Sequence, residues 1–139
     1  MLLFEVNSKL LGALASSISE VSFVTNMTKI PTLPKPVIGF MNYHGEIATL
    51  VDLGEFLFKE QSKGNIAILT KYNGDLLGFL VDTVYKVLHV GRDEFVKTSV
   101  KLPEEIKKYA IGEIIYEQNV VPILDFREII SDISKKRGA

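Results

Sequence analysis

Two histidines, His44 and His89, stand 45 residues apart in a chain of 139 residues that contains no cysteine. Imidazole binds metals and carries protons near neutral pH, but a zinc site needs three or four converging ligands. Without thiolates, both histidines and additional carboxylates would have to meet in one place. Two aspartates, Asp52 and Asp125, are of the type that performs paired acid–base work. Each opens an Asp-x-x-Glu step, Asp52 with Glu55 and Asp125 with Glu128. That spacing resembles a capping box, in which the aspartate accepts from free N–H groups at a helix start. Capping accounts for both residues before catalysis does. No serine sits in a Gly-x-Ser-x-Gly elbow, and no glycine-rich loop is present to cradle phosphate. The expectation is a protein that is not an enzyme and holds no metal or cofactor.

Charge and composition narrow the partners. Lys and Arg number 16 against 17 Asp and Glu, a net charge of −1. The phosphate attraction that dominates nucleic-acid affinity therefore has no global source. The basic run Lys135-Lys136-Arg137 reads as a solvated tail. No uncharged apolar run approaches the roughly 18 residues that span a bilayer, and Met1-Leu2-Leu3-Phe4 meets Glu5 without a charged leader. A cytoplasmic protein with no direct membrane insertion is expected. Apolar residues are 47% and charged residues 24% of the chain, the usage of an ordinary globular protein.

The elements that must position these side chains occur twice. Residues Ile38–Leu57 shifted by 73 positions lie over Ile111–Ile130, with Ile, Gly, Tyr, Asp and Glu identical in 5 of 20 pairs. Residues Leu10–Val21 overlay Leu76–Val87 at a shift of 66. The chain reads as a single domain over 1–139 with an internal repeat, about 2–58 and about 66–133. Each copy is too short for a rich core alone, so the two pack together. Within them, Leu2–Val6, Leu10–Ala15, Val21–Val24, Ile66–Thr70, Leu76–Val81 and Tyr85–Val90 read as strands. Asn73-Gly74 suits a tight hairpin turn. Ser16 and Asp82, at matching positions, are suited to capping a helical turn, and Gly12 and Gly78 to bends in matching strands. Pro31, Pro34 and Pro36 make Lys29–Pro36 a stiff surface connection. Its counterpart Lys101–Lys108 reads as a short helix opened by Pro103-Glu104-Glu105. Hairpins Ile38–Tyr43 with Glu46–Val51 and Ile111–Tyr116 with Asn119–Leu124 lead into helices Leu53–Phe58 and Phe126–Ser134. Short strands at close spacing, repeated once, predict a mainly β protein of two small barrels.

Four stretches give the arrangement a family likeness. Ile18-Ser19-Glu20-Val21 resembles a V-x-E-V motif, and Pro31–Pro36 ahead of Val37-Ile38-Gly39 resembles a proline-bearing loop before a v-x-G turn. Asn42-Tyr43-His44-Gly45-Glu46-Ile47-Ala48-Thr49-Leu50-Val51-Asp52-Leu53 is similar to N-L-R-G-x-I-x-P-V-I-D-L, and Leu77–Val84 to v-G-l-l-V-D-x-V. With Ile111-Gly112 and Ile123-Leu124-Asp125, the chain resembles the CheW family of chemotaxis coupling proteins from Leu3 to about Ile133. The resemblance implies two small SH3-like five-stranded β-barrels packed together, with short helices including a C-terminal one. It further implies a non-catalytic scaffold that bridges the regulatory domain of a CheA-type histidine kinase to the cytoplasmic tips of chemoreceptors, and so is recruited to membrane receptor arrays. By motif position the partner-binding residues are Ile18, Glu20, Asn42, Tyr43, His44 and Gly45. Gly12, Gly39, Asp52, Gly78, Asp82, Gly112 and Asp125 are turn and cap residues.

The likeness breaks at two positions. His44 stands where the family has arginine, and Thr49 where it has proline. Arginine offers five fixed donors and a permanent charge, whereas neutral histidine offers one donor and one acceptor. A divergent adaptor for another receptor and kinase set, controlling pili or gliding, is the alternative, as is a barrel binding module outside kinase signalling.

Overall fold

Runs of Leu, Ile and Val interrupted by Asn-Ser, His-Gly and Asn-Gly pairs fold as antiparallel hairpins, because those pairs tolerate the positive φ that two-residue turns require. The computed structural model describes residues 1–33, 35–87 and 103–138, the last five by backbone alone. In chain order the strands are β1 (Leu2–Val6), β2 (Lys9–Ala13), β3 (Glu20–Phe23), β4 (Thr28–Lys29), β5 (Val37–Tyr43), β6 (Glu46–Asp52), β7 (Ile66–Tyr72), β8 (Asp75–Val81), β9 (Thr83–Val87), β10 (Ala110–Tyr116) and β11 (Asn119–Leu124). Helix α1 (Leu53–Phe58) follows β6, α2 (Glu104–Lys107) precedes β10, and α3 (Phe126–Gly138) follows β11. The protein is mainly β, built as two SH3-like units. One sheet runs β10-β11-β2-β1-β9 and the other β3-β7-β8-β6-β5-β4, the two-residue β4 adding a sixth member to the second.

The two sheets match strand for strand. Leu50 and Val51 lie opposite Gly78 and Phe79 in a parallel pairing, as Ile123 and Leu124 lie opposite Gly12 and Ala13. Glu20 faces Leu69 across β3–β7 as Lys86 faces Leu3 across β9–β1. Register slips once in each long hairpin, between Val37 and Gly39 and between Ala110 and Gly112. Hence Gly39 and Gly112 mark the bulges. At Gly39 a Cβ would run into the Thr28 carbonyl of β4. Every one of these pairs is related by offsets of 73 and 66. Each sheet nevertheless draws on both halves of the chain: the hairpin β5–β6 pairs with β8, and the hairpin β10–β11 with β2.

Alternation sorts the side chains into three cores. Along β7, Ala67 and Leu69 point into their own barrel with Met41, Ala48 and Leu50. Leu3, Ile114, Val121 and Ile123 do the same in the other. The opposite faces, with Phe4, Ile68 and Phe79, meet α1 and α3 in a larger shared core. There Phe126 stacks on Phe79 at 4.7 Å and lies 6.2 Å from Phe4. One core binds both barrels into a single packed unit.

Both helix caps form, though not as full capping boxes. Asp52 accepts from the Glu55 N–H at 3.1 Å, and Asp125 from the Arg127 N–H at 3.0 Å. The Asp52 N–H donates to the Pro36 carbonyl, and the Asp125 N–H to the Tyr109 carbonyl, another pair at the 73-residue offset. The Glu55 carboxylate instead lies 3.8 Å from the Lys35 ammonium.

Three expectations are corrected. Ser16 lies inside the 3₁₀ turn Ala15–Ser17, whose cap position is Leu14 and has no side-chain bond. Asp82 caps no helix, because β9 begins at the next residue. It accepts instead from Asn7 N–H, Ser62 hydroxyl, Lys63 N–H and Gly64 N–H. Gly12 and Gly78 sit in continuously paired strands rather than at bends. A Cβ at Gly12 would lie 2.8 Å from Ile123, and one at Gly78 2.8 Å from Leu50. Glycine is used there so that the neighbouring strand's branched side chain can cross. The strand expected over Tyr85–Val90 is described to Val87; its remainder, His89, Pro34, Lys101 and Leu102 lie outside the described residues.

Candidate functional site

The turn that ends β5 carries four of the expected binding residues, Asn42 to Gly45. Asn42 accepts from the Gly45 N–H at 3.0 Å, closing the turn with its side chain. His44 and Gly45 take φ of 51° and 84°, the left-handed pair of a two-residue hairpin turn. The His44 ring stands edge-on to Tyr43, with centroids 4.3 Å apart. Tyr43 packs its ring against the barrel core, and its phenol lies within the influence of the Glu20 carboxylate on β3. The neighbouring Glu20 carboxylate, more than burial, raises the Tyr43 pKa above the ordinary phenol value. Curling of the sheet thus brings Glu20, Tyr43 and His44 side by side, although Tyr43 and His44 stand 23 and 24 positions beyond Glu20. Ile18 is set apart: it is half-buried and packs against the shared core.

One exposed residue on the outer face of the β5–β6 hairpin escaped the sequence reading. Ile47 lies opposite Asn42 in the β5–β6 register and is 59% exposed. The signal was present in the alternation of β6, which turns Ile47 and Thr49 outward when Ala48 and Leu50 point in. The acid, phenol and imidazole together form a mixed patch suited to a protein partner, where an aromatic anchor with a polar rim is the usual composition.

The other barrel presents the same position with the opposite charge. Tyr116, 73 residues beyond Tyr43, lies under the Lys86 ammonium at 5.1 Å, and Lys86 stands 66 residues beyond Glu20. The contact with Tyr116 raises the Lys86 pKa. The two ends of the molecule are therefore alike in shape and unlike in electrostatics.

Among the described residues no cluster of three metal-ligating side chains forms, and no helix is long and apolar enough to cross a membrane. Two SH3-like barrels on one core, offering exposed aromatic and charged patches at their ends, define a binding scaffold. The family model for the CheW-like domain matches residues 1–134. The chain belongs to the CheW-like domain family, whose members are non-catalytic scaffold proteins of chemotaxis. It is 29% identical over 144 aligned positions to a chemotaxis protein CheW of Thermotoga maritima, covering 99% of this chain and 91% of that one. A probable chemotaxis protein CheW of Rhizobium etli is 21% identical over 120 positions, covering 84% and 77%. The fold is similar to the crystal structure of the scaffolding protein TtCheW from Thermoanaerobacter tengcongensis, with a TM-score of 0.77 at 20% identity over 89% of this chain and 82% of that one.

Proposed function

We propose that this protein couples chemoreceptors to a CheA-type histidine kinase, binding the kinase's regulatory domain on one face and the receptor's cytoplasmic tip on another. It works in the cytoplasm and is recruited to membrane receptor arrays through those two contacts. The receptor-facing residues are Glu20 and the Asn42–Gly45 turn, with Ile18 shaping the adjoining surface from below. The observation that carries this reading is the joined Glu20–Tyr43–His44 cluster in a chain of a chemotaxis scaffold family. We also propose that residues 1–139 act as one domain made of two repeated units, about 2–58 and about 66–133. The shared offsets of the paired registers support that organisation.

His44 in place of the family's arginine favours a divergent member of the same class, matched to a receptor set that does not demand a permanent charge there. Size-exclusion chromatography with a CheA-type regulatory domain, and calorimetry with a receptor-tip fragment, test the proposal. Co-elution with the former and saturable heat with the latter are expected, with Glu20→Lys weakening the receptor arm alone. Failure to bind either would point to a module outside kinase signalling.

A further inference from the structure

The near symmetry of the two barrels exposes one place where it is broken. Thr70 on β7 pairs with Leu77 as Phe4 on β1 pairs with Leu11. Phe4 is fully buried and contacts Phe126 in the shared core. Thr70 is 1% exposed, and its hydroxyl has no hydrogen-bond partner among the described residues. Leaving a buried hydroxyl unpaired costs free energy that a valine of the same shape would avoid. The surrounding positions change in the same sense. Where the other half has Asp82 with four donors and Tyr85 bonded to Glu5 at 2.8 Å, this half has Ser16, Ser19 and Lys71. What remains is a pocket of about 220 Å³, lined by those residues together with Ser17, Ile18, Thr70 and Arg127.

The chemistry of the lining is donor-rich. Arg127 uses two of its nitrogens on Asp125, at 3.2 and 3.4 Å, and has further N–H groups to offer. Lys71 is held by Glu46 at 3.3 Å in an exposed pair, the kind that is worth little and exchanges readily. Asp125 and Glu46 do not line the pocket. With the Ser17 hydroxyl spent on the Leu14 carbonyl, three further hydroxyls and two cations around a space of one side chain's size match a carboxylate, which accepts at both oxygens.

We propose that this pocket receives an acidic side chain of a protein partner, with Thr70 as its buried donor. The adaptor reading enters only in naming the receptor tip as the source of that acid.

Titration of the isotope-labelled full chain with glutarate, followed through amide shifts, tests the pocket without a partner. Saturable shifts at Ser16, Ser19 and Lys71 are expected, with affinity reduced roughly 3- to 10-fold in both Arg127→Gln and Thr70→Val. Thr70→Val is also expected to raise the melting temperature, a gain in stability bought with a loss in binding. Unsaturable shifts in the wild type, or a more stable Thr70→Val with unchanged glutarate affinity, would overturn the assignment. In the second arm, Arg127→Gln should weaken the receptor-tip fragment by a similar factor and leave the kinase domain's affinity unchanged. A wild type that takes glutarate but no receptor tip overturns the receptor as the source of the acid and leaves the pocket standing.

Discussion

Tyr43 shows how one contact can serve recognition more than stability. The exposed Glu20 carboxylate acts on its hydroxyl and holds the phenol protonated beyond its ordinary range. A folded-state pKa raised above the unfolded value contributes stability below pH 10 and loses it as pH rises through the folded value. Tyr43→Phe should therefore remove one late-titrating phenol from the phenolate absorbance curve and leave neutral-pH stability nearly unchanged. Receptor-tip affinity should fall a few-fold, because Glu20 is no longer oriented. His44→Arg should instead strengthen that binding by a similar factor, since a rim charge is worth about 0.2–1 kcal/mol. Equal affinities for wild type and His44→Arg would remove His44 from the interface. Asp82 is the contrasting case: burial pushes its pKa up, but bonds from Ser62, Asn7, Lys63 and Gly64 outweigh that and lower it. A depressed carboxylate contributes stability above its unfolded pKa and loses it as pH falls through the folded one. Asp82→Ala should cost about 1–2 kcal/mol at pH 7 in urea unfolding, with the difference from wild type shrinking below pH 4. The positions of Glu20 and the turn were legible from motif spacing. Their contact was not, because it depends on the sheet curling β3 toward the end of β5, and no local pattern records a closure of that range. Asp82 was misread for a related reason: its four donors come from two distant loops.

At the scale of elements, the two helix starts test how far matching positions share energetics. Asp52 is almost fully buried and accepts from Ser62 N–H on both oxygens at 3.0 Å besides capping α1. Burial is the largest influence on it and raises its pKa, opposed by the backbone bonds from Glu55 and Ser62. Asp125 is only half-buried and serves α3 and Arg127. Asp52→Ala should thus cost about 2 kcal/mol and Asp125→Ala about 1 kcal/mol, measured by urea titration. Equal costs would show that Ser62 adds nothing to the cap. The matched glycines should also separate. A Cβ at Gly78 meets Leu50, Leu69 and Ala67 between 2.8 and 3.3 Å, whereas at Gly12 the flexible end of Met1 is one of the two close neighbours. Gly78→Ala should destabilise by roughly 1–3 kcal/mol, and Gly12→Ala by less. Helix and hairpin positions were readable because caps and left-handed turn pairs are local signals. The turn Glu117-Gln118, with both φ positive and no glycine, could be placed only through its offset from His44-Gly45. Gly12 and Gly78 were read as bends because a strand glycine signals either a bend or a close crossing, and only the neighbouring strand decides which.

For the whole molecule, the two-barrel architecture followed from strand spacing, yet the exchange of hairpins between halves did not. Similarity between Ile38–Leu57 and Ile111–Ile130 states that two hairpins are alike, not which strands they join. Since β5–β6 completes its sheet on β8 and β10–β11 on β2, residues 1–58 alone should show no cooperative unfolding by circular dichroism. The exchange also gives the shared core of Phe4, Phe79 and Phe126 a functional consequence. A partner bound to one barrel loads a core that the other barrel helps to form, so the two ends are held at a fixed spacing. That rigidity is what a protein joining a kinase to a receptor would use. Sedimentation velocity of this protein mixed with a CheA-type regulatory domain and a receptor-tip fragment tests the central claim most directly. The account expects one ternary boundary, heavier than either pairwise complex, in which both partners are held at once. Two separate binary boundaries, or a boundary at the mass of the free chain, would contradict it.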